Sequence, residues 1–156
     1  MAPQLTQQQR DTHLSMLMEV TAIPTAAGHE SRVIAWIKRW LAHRHDLDCI
    51  ADPHGNLTIR ARKEPESGNP PVYFTAHMDH PAFVVERIVA PEVLELSFRG
   101  GVMAEYFTDA PIIVHTRDDV PLKARLFGEP KQGDTHPTFK HYMAELEHPT
   151  ESVAIR

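Results

Sequence analysis

Cys49 is the one cysteine in 156 residues. An internal disulfide is excluded, and with it the small secreted scaffolds that use bridges in place of a core. A reducing compartment suits such a chain. Basic charge is also scarce: 16 Lys and Arg face 21 Asp and Glu, a net charge of -5. That balance offers no electrostatic footprint for general nucleic-acid or membrane binding. No apolar run approaches the ~20 residues that span a bilayer. Residues 1–10 are polar and Gln-rich, with neither the apolar stretch nor the small-residue cleavage site of a secretory signal. A soluble, cytoplasmic protein is expected, with neither nucleic acid nor membrane as partner. No internal repeat is visible, and low complexity is confined to Gln7-Gln8-Gln9.

What is present is ordinary globular composition. Hydrophobic residues make up 42% and charged residues 24%, which argues against wholesale disorder. The length suffices for a core without staples. Residues 6–21 have a helical period through Leu14, Leu17, Met18 and Thr21, and Pro24 ends it. A second helix begins near His29 or Glu30, with Val33, Ile37, Trp40 and Leu41 on one face. Both stripes are expected in the core. Residues 47–51 and 57–61 read as a hairpin around the turn formers Asp52-Pro53-His54-Gly55-Asn56. After a polar loop at 63–71, Val72-Tyr73-Phe74-Thr75-Ala76 reads as a strand buried on both faces. Two helices, a hairpin and a buried strand predict the start of an α/β layered domain over residues 1–82. Beyond residue 82 the rhythm changes to short strands at 83–89, 93–98, 112–116 and 122–127, separated by turn signals. That spacing predicts a small all-β barrel or sandwich over residues 83–156. In the tail, 138–146 reads as a short helix and 153–155 as the opening of another strand.

The sharpest chemical feature follows the run at 72–76: Ala76-His77-Met78-Asp79-His80-Pro81. Ligands in open α/β sheets sit beyond the carboxyl ends of strands. In extended backbone His77 and Asp79 share one face, and Met78 and His80 the other. A neutral imidazole ligates zinc, and a nearby carboxylate orients the ring and raises its basicity. The pair reads as half of a metal site, against the simpler alternative of a turn with a satisfied polar pair.

Several segments in order resemble the glutamyl-aminopeptidase-like family of two-zinc exopeptidases, the tetrahedral aminopeptidases. They are Ile23-Pro24-Thr25-Ala26-Ala27-Gly28-His29-Glu30, Asp52-Pro53-His54-Gly55-Asn56-Leu57, Phe74-Thr75-Ala76-His77-Met78-Asp79, Phe98-Arg99-Gly100-Gly101 and Ile113-Val114-His115-Thr116-Arg117-Asp118. The resemblance covers the chain to about residue 130. It implies an α/β/α peptidase sandwich begun by residues 1–82, with 83–156 as an incomplete β-barrel-like insert that drives homo-oligomerisation. It implies a peptide substrate that loses its N-terminal residue to a water activated by two divalent metal ions, zinc or cobalt. His77 becomes a metal ligand, and Asp79 the catalytic-site carboxylate supporting it. The family's bridging Asp, its Glu pair and its last His lie after the insert and have no counterpart here. The resemblance therefore implies an N-terminal portion, inactive alone. His80-Pro81 also departs from the family's Glu and small residue. Two alternatives stand beside it: a non-catalytic assembly module derived from a peptidase, and a carboxypeptidase or deacylase of the same two-zinc clan.

Other candidates take structural readings. His136, His141 and His148 match no zinc spacing and read as solvated tail. His43 and His45 suit a helix C-terminus. Asp118-Asp119 reads as a turn, and Glu64 and Glu66 as loop residues. Cys49 reads as buried and inert. Gly100-Gly101 lacks the following helix of a phosphate loop.

Overall fold

A computed structural model describes residues 4–63, 70–132 and 140–148. Two units emerge, each with its own internal packing. The first holds Met1–Ile23 and Glu30–Met78, the second Pro24–His29 and Asp79–Arg156.

The first unit begins with α1, Gln7–Thr21. Thr6 caps it reciprocally: its hydroxyl accepts from the Gln9 amide at 3.2 Å, and Gln9 Oε1 accepts from the Thr6 amide at 2.8 Å. Helix α2, Ser31–Leu41, follows, and the indole N–H of Trp36 donates to Glu19 of α1 at 2.7 Å. Strands β1, Leu47–Ala51, and β2, Leu57–Ala61, pair antiparallel, with Leu47 opposite Ala61 and Ala51 opposite Leu57. Asp52 builds their turn by accepting from the amides of His54 and Asn56 and from the Asn56 side chain, all within 2.9 Å. These donors hold its carboxyl below the usual range, the Asn56 side chain most of all. Near the end of α2, Arg44 lies over the Trp40 ring and grips Asp46, lowering that carboxyl to about 2. The pair is exposed, so it adds little stability.

The second unit is a curled half-barrel of five antiparallel strands in the order β3-β4-β7-β6-β5. They are β3 Ala82–Ala90, β4 Val93–Arg99, β5 Pro111–His115, β6 Pro121–Gln132 and β7 Lys140–Leu146. A 3₁₀ turn, Ala104–Phe107, precedes β5. Side chains alternate across the sheet. One face sends Leu94, Leu96 and Phe98 of β4, Ala124 and Leu126 of β6, and Tyr142, Ala144 and Leu146 of β7 into the core. Phe83, Phe98, Phe107 and Tyr142 pack ring to ring, with centroids 4.7–6.5 Å apart. Burial pushes the Tyr142 phenol upward in pKa.

Five expectations need correction. The architecture is mostly antiparallel sheet, not an α/β/α sandwich. All five strand pairings are antiparallel, so no crossover unit exists to build covered parallel layers among the described residues. The run at 72–76 joins no sheet there, and Val72, Tyr73 and Phe74 are 79–95% exposed. Residues 140–146 form β7 instead of a helix: pairing with β4 and β6 imposes the period of two that buries Tyr142, Ala144 and Leu146. The α1 stripe of Leu14, Leu17 and Met18 is exposed, as is Cys49, because no layer covers them among the described residues. Residues 138–139 and 153–155 lie outside the described residues.

Truncating the two units should cost unequal amounts. Leu96→Ala removes a side chain that is 1% exposed and is expected to destabilise the sheet by about 2–5 kcal/mol. Leu17→Ala, on the exposed stripe, should stay within about 0.5 kcal/mol. Urea unfolding followed by far-UV circular dichroism measures both.

Candidate functional site

Residues 70–80 lead into β3 without forming helix or strand. Pro70 and Pro71 lack amide protons and cannot donate to a ladder. His77 is exposed at the end of the apolar run, while Met78 and Asp79 are half-buried. The boundary between the two units falls between Met78 and Asp79, so His77 belongs to the first and Asp79 to the second. The backbone after Asp79 is fixed by Pro81 against Gly100. Gly100 has φ +152°, and a Cβ there would lie 2.7 Å from Pro81 Cβ. Only glycine fits that crossing.

A two-metal centre needs more than one imidazole and one carboxylate. Among the described residues, no three His, Cys, Asp or Glu side chains gather where they could hold a metal ion. His77 and Asp79 thus do not fit a complete centre by themselves. His148 and His43 are exposed, and His136, Glu64 and Glu66 lie outside the described residues. Asp119 sits at φ +61° beside Asp118, its amide donating to the Thr116 carbonyl at 3.1 Å, as a turn requires.

The sequence reading missed a second polar group, on the face of the half-barrel sheet opposite the core. The register of β3 shifts between Val85 and Arg87, and this bulge lets the adjacent residues Glu86 and Arg87 both reach that face. Glu86 accepts from the Ser97 hydroxyl at 2.5 Å. Arg87 pairs closely with Glu95. The other Glu95 oxygen meets His141 Nδ1 at 2.8 Å. His141 stands opposite Ser97 on the neighbouring strand, and its side chain is 11% exposed. Its Nε2 is buried without a hydrogen-bond partner among the described residues. The placement of His141 in a solvated tail is thereby corrected. No spacing rule could find the cluster, because Glu95 and His141 meet only through the β4–β7 pairing.

No protein-family model matches this chain, and no curated protein matches it. No helix among the described residues is long and apolar enough to cross a membrane.

The cluster sets an acid limit. The hydrogen bond with His141, and then that with Arg87, hold the Glu95 carboxyl below its ordinary value. A depressed carboxyl contributes stability above its unfolded pKa of about 4.3, and that stability is lost as pH falls through the folded value. The sheet should therefore weaken below about pH 4.3. Glu95→Gln should be less stable at neutral pH and should flatten the acid limb. Urea midpoints between pH 3 and 7 test this, and an acid limb of unchanged slope in the variant would contradict it.

Proposed function

We propose that this chain is the N-terminal portion of a metal-dependent aminopeptidase, the complete protein removing N-terminal residues from peptides in the cytoplasm. Within it, His77 supplies one metal ligand and Asp79 the carboxylate that supports it. The observation that carries this proposal is the run Val72-Tyr73-Phe74 leading to an exposed His77. Three adjacent large apolar side chains, 79–95% exposed, cost hydration free energy unless further polypeptide covers them. Among the described residues of the first unit, to which this run belongs, only Val33 is buried, so the unit presents further apolar surface in want of a partner layer. The ordered motifs from Ile23 to Asp118 add the resemblance. Zinc or cobalt would supply Lewis-acid activation of water once the remaining ligands are present. The chain's own part is to place an accessible imidazole two residues before a half-buried carboxylate. The half-barrel unit is the proposed surface for homo-oligomer formation.

A second proposal, a non-catalytic assembly module, draws on the lack of a metal-holding group among the described residues and the packed core of the second unit. Reading the source transcript in frame past the Arg156 codon separates the two. A continuation supplying an Asp, a Glu pair and a late His supports the peptidase; a stop codon supports the module. Calorimetric titration of the 156-residue chain with zinc should show no tight stoichiometric site. Tight binding abolished by His77→Ala would refute the half-site. In a gene product that supplies those residues, Asp79→Asn should lower aminopeptidase kcat/KM about 10- to 100-fold.

A further inference from the structure

Pro24–His29 lies between the two helices in sequence. Pro24–His29 belongs to the half-barrel unit, far from it in sequence. The His29 amide donates to the Ala26 carbonyl at 2.8 Å, closing a four-residue turn. Gly28, at its third position, has φ +81°, the left-handed value a type II turn requires. In such a turn the central peptide is rotated, so the Ala27 carbonyl projects away from the closing hydrogen bond. Arg99, the last residue of β4, donates to that carbonyl through Nη1 at 2.6 Å. Its Nη2 lies 3.8 Å from Glu86 Oε1, the oxygen that also accepts from the Ser97 hydroxyl. The guanidinium is thus held between a carboxylate fixed on the sheet and a carbonyl offered by the turn. Thr25 and Ala26 within the turn segment are themselves buried, 8% and 4% exposed.

We infer that Pro24–His29 is a strap, latched onto the half-barrel by Arg99, which opens as a local unit while the sheet stays closed. The hydrogen bonds it makes within itself are turn bonds, at His29 and, more loosely, from the Thr25 hydroxyl to the His29 carbonyl at 3.4 Å. Turns of this kind do not persist alone in water, so the strap's order depends on contacts beyond itself, the Arg99 latch among them. A hydrogen bond from a charged donor is worth more than a neutral one, and a partly buried one is screened less. This latch is independent of the peptidase proposal.

Amide hydrogen exchange by NMR on the 156-residue chain tests it. The His29 amide should be protected in the wild type. Arg99→Met should speed its exchange about ten-fold or more. The amides of Leu126 and Leu146, which donate to Ala110 and Glu92 within the half-barrel, should keep their rates. Gly28→Ala acts from the strap side, forcing a side chain to φ +81° with Cβ 3.3 Å from Arg99 Nη1, and should also speed exchange at His29. This second variant decides the matter if Arg99→Met does not fold. The inference is overturned if His29 is unprotected in the wild type, or if the variant that folds leaves its rate unchanged. It is overturned equally if Leu126 and Leu146 accelerate in step with it, since Arg99 would then stabilise the whole sheet.

Discussion

Pairing between β4 and β7 brings together parts of the chain that local turns cannot join. Val93 opposes Glu145 and Ser97 opposes His141. Through this seam the β3–β4 hairpin meets the β5–β6 pair, and a single sheet results. Leu94, Ala144 and Leu126 stand side by side across three strands, none more than 1% exposed. Loop closure must precede such contacts, so the seam is entropically costly to form and is held by what it buries. Without it the aromatic group of Phe83, Phe98, Phe107 and Tyr142 has no fourth wall.

The same seam creates the polar face. Period-two alternation that sends Leu94, Leu96 and Phe98 inward sends Glu95, Ser97 and Arg99 to the other side. There they are mostly shielded, and each must find a partner, because a buried charge left alone costs several kcal/mol. Glu95 finds Arg87 and His141; Ser97 finds Glu86; Arg99 finds the Ala27 carbonyl. Such groups stabilise little relative to apolar substitutes but penalise any register in which they would be mismatched. A slip of one residue would turn every one of them into the core.

Local structure was largely legible. Strands at 47–51 and 57–61 were read to the residue from alternation and turn chemistry, and those at 83–89 and 93–98 to within a residue or two. Helix α1 ends before Pro24, as that proline's restriction on its neighbour dictates. Failures came where a property depends on neighbours in space. An apolar run signals a buried strand only if something covers it, and Val72-Tyr73-Phe74 has no such layer among the described residues. Ala, Glu and Leu at 144–146 favour helix in isolation, but two flanking strands hold them extended. His77 and Asp79 are legible as a candidate pair because they stand two residues apart in the sequence. Glu95 and His141 are not, because their contact is written in the fold alone.

The exposed run also has consequences for copies of the chain meeting one another. A short apolar segment with strong β propensity and no charge is a template for intermolecular ladders. Here Pro70 and Pro71 stand directly before it and Pro81 shortly after, with Asp79 between. Proline cannot donate to a ladder and a carboxylate resists stacking on its like, so a growing cross-β assembly meets a gatekeeper at either end. The exposed run is thus bracketed against self-association, and the bracket residues sit where replacing them by apolar ones would favour fibre over fold.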